Sequence, residues 1–88
     1  MYSFELLSEL VKLDGEMPVF GSVCGKLYKI QVVVKDGKLI LADGGEKIYT
    51  VGELRRLIGE YEDMPVFRSD GQELENKVVC RKGCVLDE

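Results

Sequence analysis

The tetrapeptide Met-Pro-Val-Phe stands twice in the chain, at 17–20 and again at 64–67, and the likeness extends well beyond it. At a constant offset of 47, Tyr2-Ser3 falls on Tyr49-Thr50, Leu7 on Leu54, Leu10 on Leu57, Val11 on Ile58, Glu16 on Asp63 and Ser22 on Ser69. With one residue removed near Val23-Cys24, Gly25 meets Gly71, Val32-Val33 meets Val78-Val79, and Gly37 meets Gly83. A chain built as two copies of a unit of about 45 residues has much of its architecture decided in advance. Over 88 residues, roughly 60–65% of the unfolded surface can be buried, enough for one thin core. The expectation is a single domain over 1–88, with repeat one at 1–43, repeat two at 46–88 and Gly44-Gly45 as the joint.

Each copy opens with a helix signal. Ser3 and Thr50 are of the type whose side-chain oxygen accepts an otherwise unpaired N–H at a helix start. Thr50-Val51-Gly52-Glu53 completes a capping box. In copy one Glu5-Leu6 replaces Gly52-Glu53, and the box is expected to be lost. The stripes Phe4-Leu7-Leu10-Val11 and Val51-Leu54-Leu57-Ile58-Tyr61 have the spacing of amphipathic helices. Pro18 and Pro65 stop either helix from running on, and a strand follows each, over 17–23 and 64–69. Segments 27–35 and 38–43 flank Asp36-Gly37, a strong hairpin signal, and segments 76–81 and 84–87 flank Lys82-Gly83.

Each unit therefore reads α-β-β-β. The expected fold is α+β: two tandem repeats with pseudo-twofold symmetry, forming an antiparallel sheet with two helices on one face. A turn at Asp36-Gly37 puts Ile30, Val32, Val34, Leu39 and Leu41 on one face, toward the helices. The other face still carries Val33 and Ile40, with Val79 and Leu86 in the second copy. Helices on one side cannot cover both faces, so either the two units pack sheet against sheet or the second face meets another molecule; the expectation is the latter, a partner or a second copy in a homodimer.

Chemistry-bearing motifs are sparse. A turn at Lys82-Gly83 would pair Cys80 with Val85 and Cys84 with Arg81, so that the two thiols diverge; there is no histidine to complete a zinc site, and Cys80 reads as a small core residue in the place of Val34. Gly21-Ser22-Val23-Cys24-Gly25-Lys26 falls short of a phosphate loop: it is one residue too short, ends in Leu27 and leads into a strand. The commonest general base is absent and no serine has a nucleophile-elbow context, so no catalytic residue, metal or cofactor is assigned. Three cysteines without framework spacing suit a reducing cytoplasm. No apolar run approaches bilayer length, and Glu5 and Glu9 interrupt the start of the chain, unlike a signal peptide.

Charge is where the copies differ. Residues 1–43 carry six acids against five bases, and residues 44–88 ten against seven, within a net charge of −4. That balance speaks against nucleic acid or an anionic membrane as the main partner. Arg55 and Arg56 lie off the apolar stripe, with Glu53 and Glu60 near enough to offset them. The acids Glu60, Glu62, Asp63, Asp70, Glu73 and Glu75, with Asp87 and Glu88 beyond them, form the main asymmetry. They suit either the solubility of an acidic domain or docking on a basic protein surface.

The stretch 49–66, Tyr-Thr-Val-Gly-Glu-Leu through Glu-Asp-Met-Pro-Val, resembles the opening of many small proteins of phages, prophages and other mobile elements. These have a Thr-Val-x-Glu-Leu helix, then Asp-x-Pro-Val and a hairpin. The resemblance implies a non-enzymatic protein of the host bacterial cytoplasm that binds, and as one member of the class inhibits, a host or defence-system protein, as anti-CRISPR-like proteins do. The expected partner-binding residues are Glu60, Glu62, Asp63, Asp70, Glu73 and Glu75, with Val79 and Leu86 on the free sheet face. Two alternatives stand beside it: a small-ligand binder or sponge holding a nucleotide or metabolite between the units, and a structural module that forms oligomers.

Overall fold

Asp36 and Gly37 have φ of 52° and 72°, the left-handed pair that a two-residue type I′ turn demands. They join two six-residue strands, Ile30–Lys35 (β3) and Lys38–Asp43 (β4), with Lys35 opposite Lys38 and Val33 opposite Ile40. In the computed structural model the backbone is described for residues 1–23, 25–75, 77–80 and 83–86, and the side chains for all of these except 77–80. The helices are Ser3–Val11 (α1) and Val51–Gly59 (α2). The other strands are Val19–Val23 (β1), Lys26–Tyr28 (β2), Val66–Arg68 (β5), Lys77–Cys80 (β6) and Gly83–Leu86 (β7). The fold is α+β.

The strands make two mixed sheets rather than the single antiparallel sheet expected. One has the order β2-β1-β7-β6 and the other β3-β4-β5. Each is completed from the other half of the chain. β1 lies parallel to β7, Val19 opposite Cys84, and β5 lies parallel to β4, Val66 opposite Leu39. The stretch 27–35 does not run as one strand: it breaks at Lys29 into β2, which pairs with β1, and β3, which pairs with β4.

Backbone bonds between the halves come in similar pairs. The Ser3 N–H donates to the Met64 carbonyl and the Val51 N–H to the Met17 carbonyl, both at 2.8 Å. The Val66 N–H donates to Met1 at 2.9 Å and the Val19 N–H to Tyr49 at 2.8 Å. The Leu39 N–H donates to Pro65 at 3.0 Å and the Cys84 N–H to Pro18 at 2.8 Å. Between these ties lies one apolar cluster that includes Leu6 and Leu10 of α1, Leu54 and Ile58 of α2, and Val19, Leu39, Leu41, Val66 and Leu86 of the strands. Fully burying each such side chain contributes roughly 1.5–3 kcal/mol before chain entropy is subtracted.

Two expectations about register need correction. α1 buries Ser3, Leu6 and Leu10, while Phe4 and Val11 of the expected stripe are 52% and 61% exposed. Ser3 is the first residue of the helix and Tyr2 is its N-cap, so the face is rotated by one position from the 47-residue alignment. In the second hairpin Cys80 lies opposite Gly83 and Val79 opposite Cys84, each two residues from the partner that a Lys82-Gly83 turn would give it. A slip of two residues changes the partners but leaves every side chain on its face. Val79, not Cys80, thus pairs with Cys84 as Val34 pairs with Leu39. Leu86, expected on the free face, is 2% exposed and belongs to the core.

Gly83 shows why this register holds. Its φ is +130°, and a Cβ there would sit 2.3 Å from the carbonyl oxygen of Pro18, at the point where the start of β1 closes onto β7. Gly83→Ala is therefore expected to destabilise the protein by about 1–3 kcal/mol, the range for a strained backbone position. Urea denaturation would check this, and a midpoint equal to that of the parent would refute the close approach.

Candidate interaction surface at the start of the first helix

Tyr2 has no short side-chain oxygen to cap α1, and two acids from different parts of the chain supply what is missing. Glu5 Oε1 accepts the Tyr2 N–H at 3.2 Å, as Glu53 Oε1 accepts the Thr50 N–H at 3.1 Å in α2. Half of the capping box thus survives in α1, contrary to the expectation from Glu5-Leu6. In α2 the other half is the Glu53 N–H donating to Thr50 Oγ1 at 3.1 Å. In α1 that service comes from Asp63: its Oδ1 accepts the Phe4 N–H at 3.0 Å and the Ser3 hydroxyl at 3.3 Å. Ser3 Oγ in turn accepts the Met64 N–H at 3.1 Å. A carboxylate at this end also meets the positive pole of the helix dipole.

The other expected site residues divide by position. Glu73 Oε2 lies 2.5 Å from the Met1 ammonium, which also donates to the Leu74 carbonyl at 2.8 Å. Glu62, next to Asp63, and Glu75, two residues after Glu73, are exposed, as are Tyr2 and Phe4 at the helix start, at 47% and 52%. Glu62 and Glu75 make no hydrogen bond or ion pair among the described residues.

Asp70 is elsewhere, in a turn where its carboxylate pairs with the Arg68 guanidinium and accepts the Gln72 N–H at 3.0 Å. That N–H, with Arg68, holds its carboxyl below the ordinary range. Asp63, Asp70 and Glu73 are therefore committed to bonds within the chain. Val79 keeps a backbone place in β6, and its side chain, like Asp87 and Glu88, lies outside the described residues.

Glu60 borders a different feature. A groove of about 260 Å³ runs along α2 between Lys47, Tyr49, Glu53, Arg56 and Glu60. It adjoins one of about 390 Å³ at the joint, lined by Ile30, Gln31, Gly44, Gly45, Lys47 and Tyr49. Lys47 Nζ lies 4.9 Å from the Tyr49 ring centroid and donates to Glu53 Oε2 at 2.6 Å. The Lys47 ammonium and then the Thr50 N–H lower the Glu53 carboxyl from its ordinary 4.5 to about 2, and the same bond raises Lys47.

Among the described residues no group of three or more His, Cys, Asp or Glu side chains could hold a metal ion. No helix among them is long and apolar enough to cross a membrane. No family model, curated protein or solved structure matches the chain.

The residues that pattern reading missed are Phe4 and Val11, placed in the core when they lie outside it. The signal was present: Glu5 and Glu53 each stand third in their helices, which aligns Tyr2 with Thr50 rather than with Tyr49.

Two outcomes follow. Asp63→Ala is expected to cost about 1 kcal/mol, as loss of a helix cap does, read by urea denaturation against Glu62→Ala, which should cost nothing measurable. The Glu53 carboxyl is expected to titrate near 2 by carboxyl-detected NMR and to move upward in Lys47→Met. Because its folded value is depressed, this carboxylate stabilises the fold above its unfolded value near 4.5, and that contribution is lost as pH falls toward 2. A midpoint at the ordinary value would remove the Lys47 bond.

Proposed function

We propose that this chain is a non-enzymatic binding protein of the kind encoded by phages and other mobile elements, which works by occluding a basic surface on a host or defence-system protein. The observation that carries this reading is the gathering of acids at the start of α1. Asp63 and Glu73 anchor there, Glu62 and Glu75 stand close by in the chain, exposed and with no bond among the described residues, and Tyr2 and Phe4 are exposed at the same helix start. Acidic groups around aromatic side chains match a basic partner in both charge and contact, and such complementarity speeds and orients encounter. The paired backbone bonds between the halves support the finer architectural reading, two tandem repeats about a pseudo-twofold axis. On that reading the acids distinguish one end of a duplicated scaffold from the other.

The test begins with affinity capture from the native host and mass spectrometry, followed by affinity measurement against the partner recovered. Glu62→Lys with Glu75→Lys is expected to weaken binding at least tenfold and to reduce its dependence on salt. Glu46→Lys, on the joint, should leave binding unchanged. Equal affinity for the parent and the double reversal would defeat the proposal.

A second reading, small-ligand binding, draws on the joint groove, whose volume of about 390 Å³ falls within the range of small-molecule sites. Thermal shift against a nucleotide and metabolite panel discriminates. A saturable rise that Tyr49→Ala abolishes supports this reading, and flat responses remove it.

A further inference from the structure

The β3-β4-β5 sheet is closed at one edge and open at the other. Beyond β5 the chain returns along it: the Leu74 N–H donates to Val66 at 2.8 Å and the Arg68 N–H to Gln72 at 2.7 Å, with Glu73 opposite Phe67. At the other edge β3 pairs with β4 alone. With six residues it is longer than β2 or β6, the edge strands of the other sheet.

The ladder shows which backbone groups of β3 are open. Bonded and non-bonded pairs alternate between antiparallel strands. The Leu39 N–H donates away from β3, to the Pro65 carbonyl at 3.0 Å, so Leu39 and its partner Val34 form a non-bonded pair. The N–H and C=O of Val34 therefore point outward from the sheet, and by alternation so do those of Val32. No loop bond reaches either residue among the described residues. Edges are commonly blunted by proline, a bulge or a charge, and from Ile30 to Val34 this one has none of them.

Charge beside the edge has one sign. Lys35 lies directly opposite Lys38, on the face that carries Val33, Ile40 and Phe67, and Lys38 Nζ is 5.0 Å from the Phe67 ring centroid. Like charges in direct opposition are unfavourable. Neither lysine, nor Asp36 in the turn between them, makes an ion pair among the described residues. Glu73, opposite Phe67, is taken by the Met1 ammonium.

We infer that the open edge of β3 takes an extended acidic segment of another protein as a fourth strand. Backbone bonds to Val32 and Val34 supply affinity, as in other cases of strand addition. An apolar side chain continues the Val33-Ile40-Phe67 row, and a carboxylate two residues along the same face meets Lys35. This surface is separate from the acidic residues proposed above and stands without them. A second copy of this chain fits less well, because its own β3 would bring lysine and no acid to the edge. A nucleic acid or an anionic membrane suits the lysines but offers no N–H and C=O series to the strand.

The probe is a synthetic peptide with a Glu-Thr-Val-Thr-Glu core, whose glutamates and valine share one face when extended. Its controls are the same peptide with lysine for glutamate and the same peptide N-methylated through the core. Fluorescence polarisation with the full chain is expected to show saturable binding of the first peptide alone. Lys35→Glu with Lys38→Glu should weaken it at least tenfold and admit the lysine peptide. Val34→Pro should abolish it: proline there loses no bond to β4 yet closes the edge.

Absence of saturable binding overturns the inference, as does equal binding by the parent and either variant. Equal binding of the N-methylated peptide overturns it too, and this arm tests the edge even if Val34→Pro does not fold. Should the charge reversal not fold, Lys35→Gln alone serves, with weaker binding expected and unchanged binding refuting the role of charge. Binding to a single-stranded oligonucleotide or to phosphatidylserine vesicles but not to the peptide also overturns the inference. So does a dimer in light scattering that Val34→Pro dissociates, which would give the edge to a second copy.

Discussion

Everything in this molecule depends on two short parallel pairings that cross between the halves, β1 with β7 and β5 with β4. Parallel strands need a long connection, and here the rest of the chain supplies it. Hairpin β3-β4 gains its third strand only when Val66–Arg68 arrives from beyond α2, and hairpin β6-β7 gains its own from β1, before either hairpin in sequence. Pro18 and Pro65 sit at these junctions. Each lends its carbonyl to a hairpin strand, to Cys84 in one case and Leu39 in the other, and proline loses nothing by having no N–H at a point where only an acceptor is needed. Since neither sheet is complete without the other half, the apolar cluster draws on both halves at once.

The same exchange decides what the acids do. Because β5 begins beside the start of α1, the turn before it places Asp63 against the unpaired N–H groups of that helix, and Tyr2 needs no capping side chain of its own. Half of the residues that seemed free to bind a partner are in this way drawn into the fold: Asp63 as a cap, Glu73 at the Met1 ammonium, Asp70 in the Arg68–Gln72 turn. Glu62 and Glu75 are exposed and make no hydrogen bond or ion pair among the described residues. An acidic surface thus combines a structural layer and an exposed one, and only the second is available to a partner.

Much of the element order was legible. The capping box at Thr50, the prolines after each helix and the Asp36-Gly37 turn each carry a local rule strong enough to act without tertiary help, and α2, the two proline-led strands and the first hairpin lie where those rules put them. Failures came where a local rule allowed two answers. α1 has apolar residues at Phe4, Leu6, Leu7, Leu10 and Val11, enough for two overlapping stripes, and the buried one goes with the bonds that tie Ser3 and Phe4 to Asp63 and Met64. Gly83 suits a turn by composition, yet it lies inside β7 against the Pro18 carbonyl, and the strand partners shift by two residues. Leu86, which sequence alone assigned to an open face, is buried because β7 is a central strand between β1 and β6, with all four of its residues buried.

By itself, then, the sequence determined the kinds of element, their order, and the excess of acid in the second half, because caps, prolines, turns and charge are properties of near neighbours. Tertiary structure decided which strand completes which sheet, which face of α1 is buried, and which acids stay free. Those outcomes depend on contacts between residues far apart in the chain, 27 positions for Leu39 with Val66, 59 for Phe4 with Asp63 and 65 for Val19 with Cys84, whose energy no local window contains.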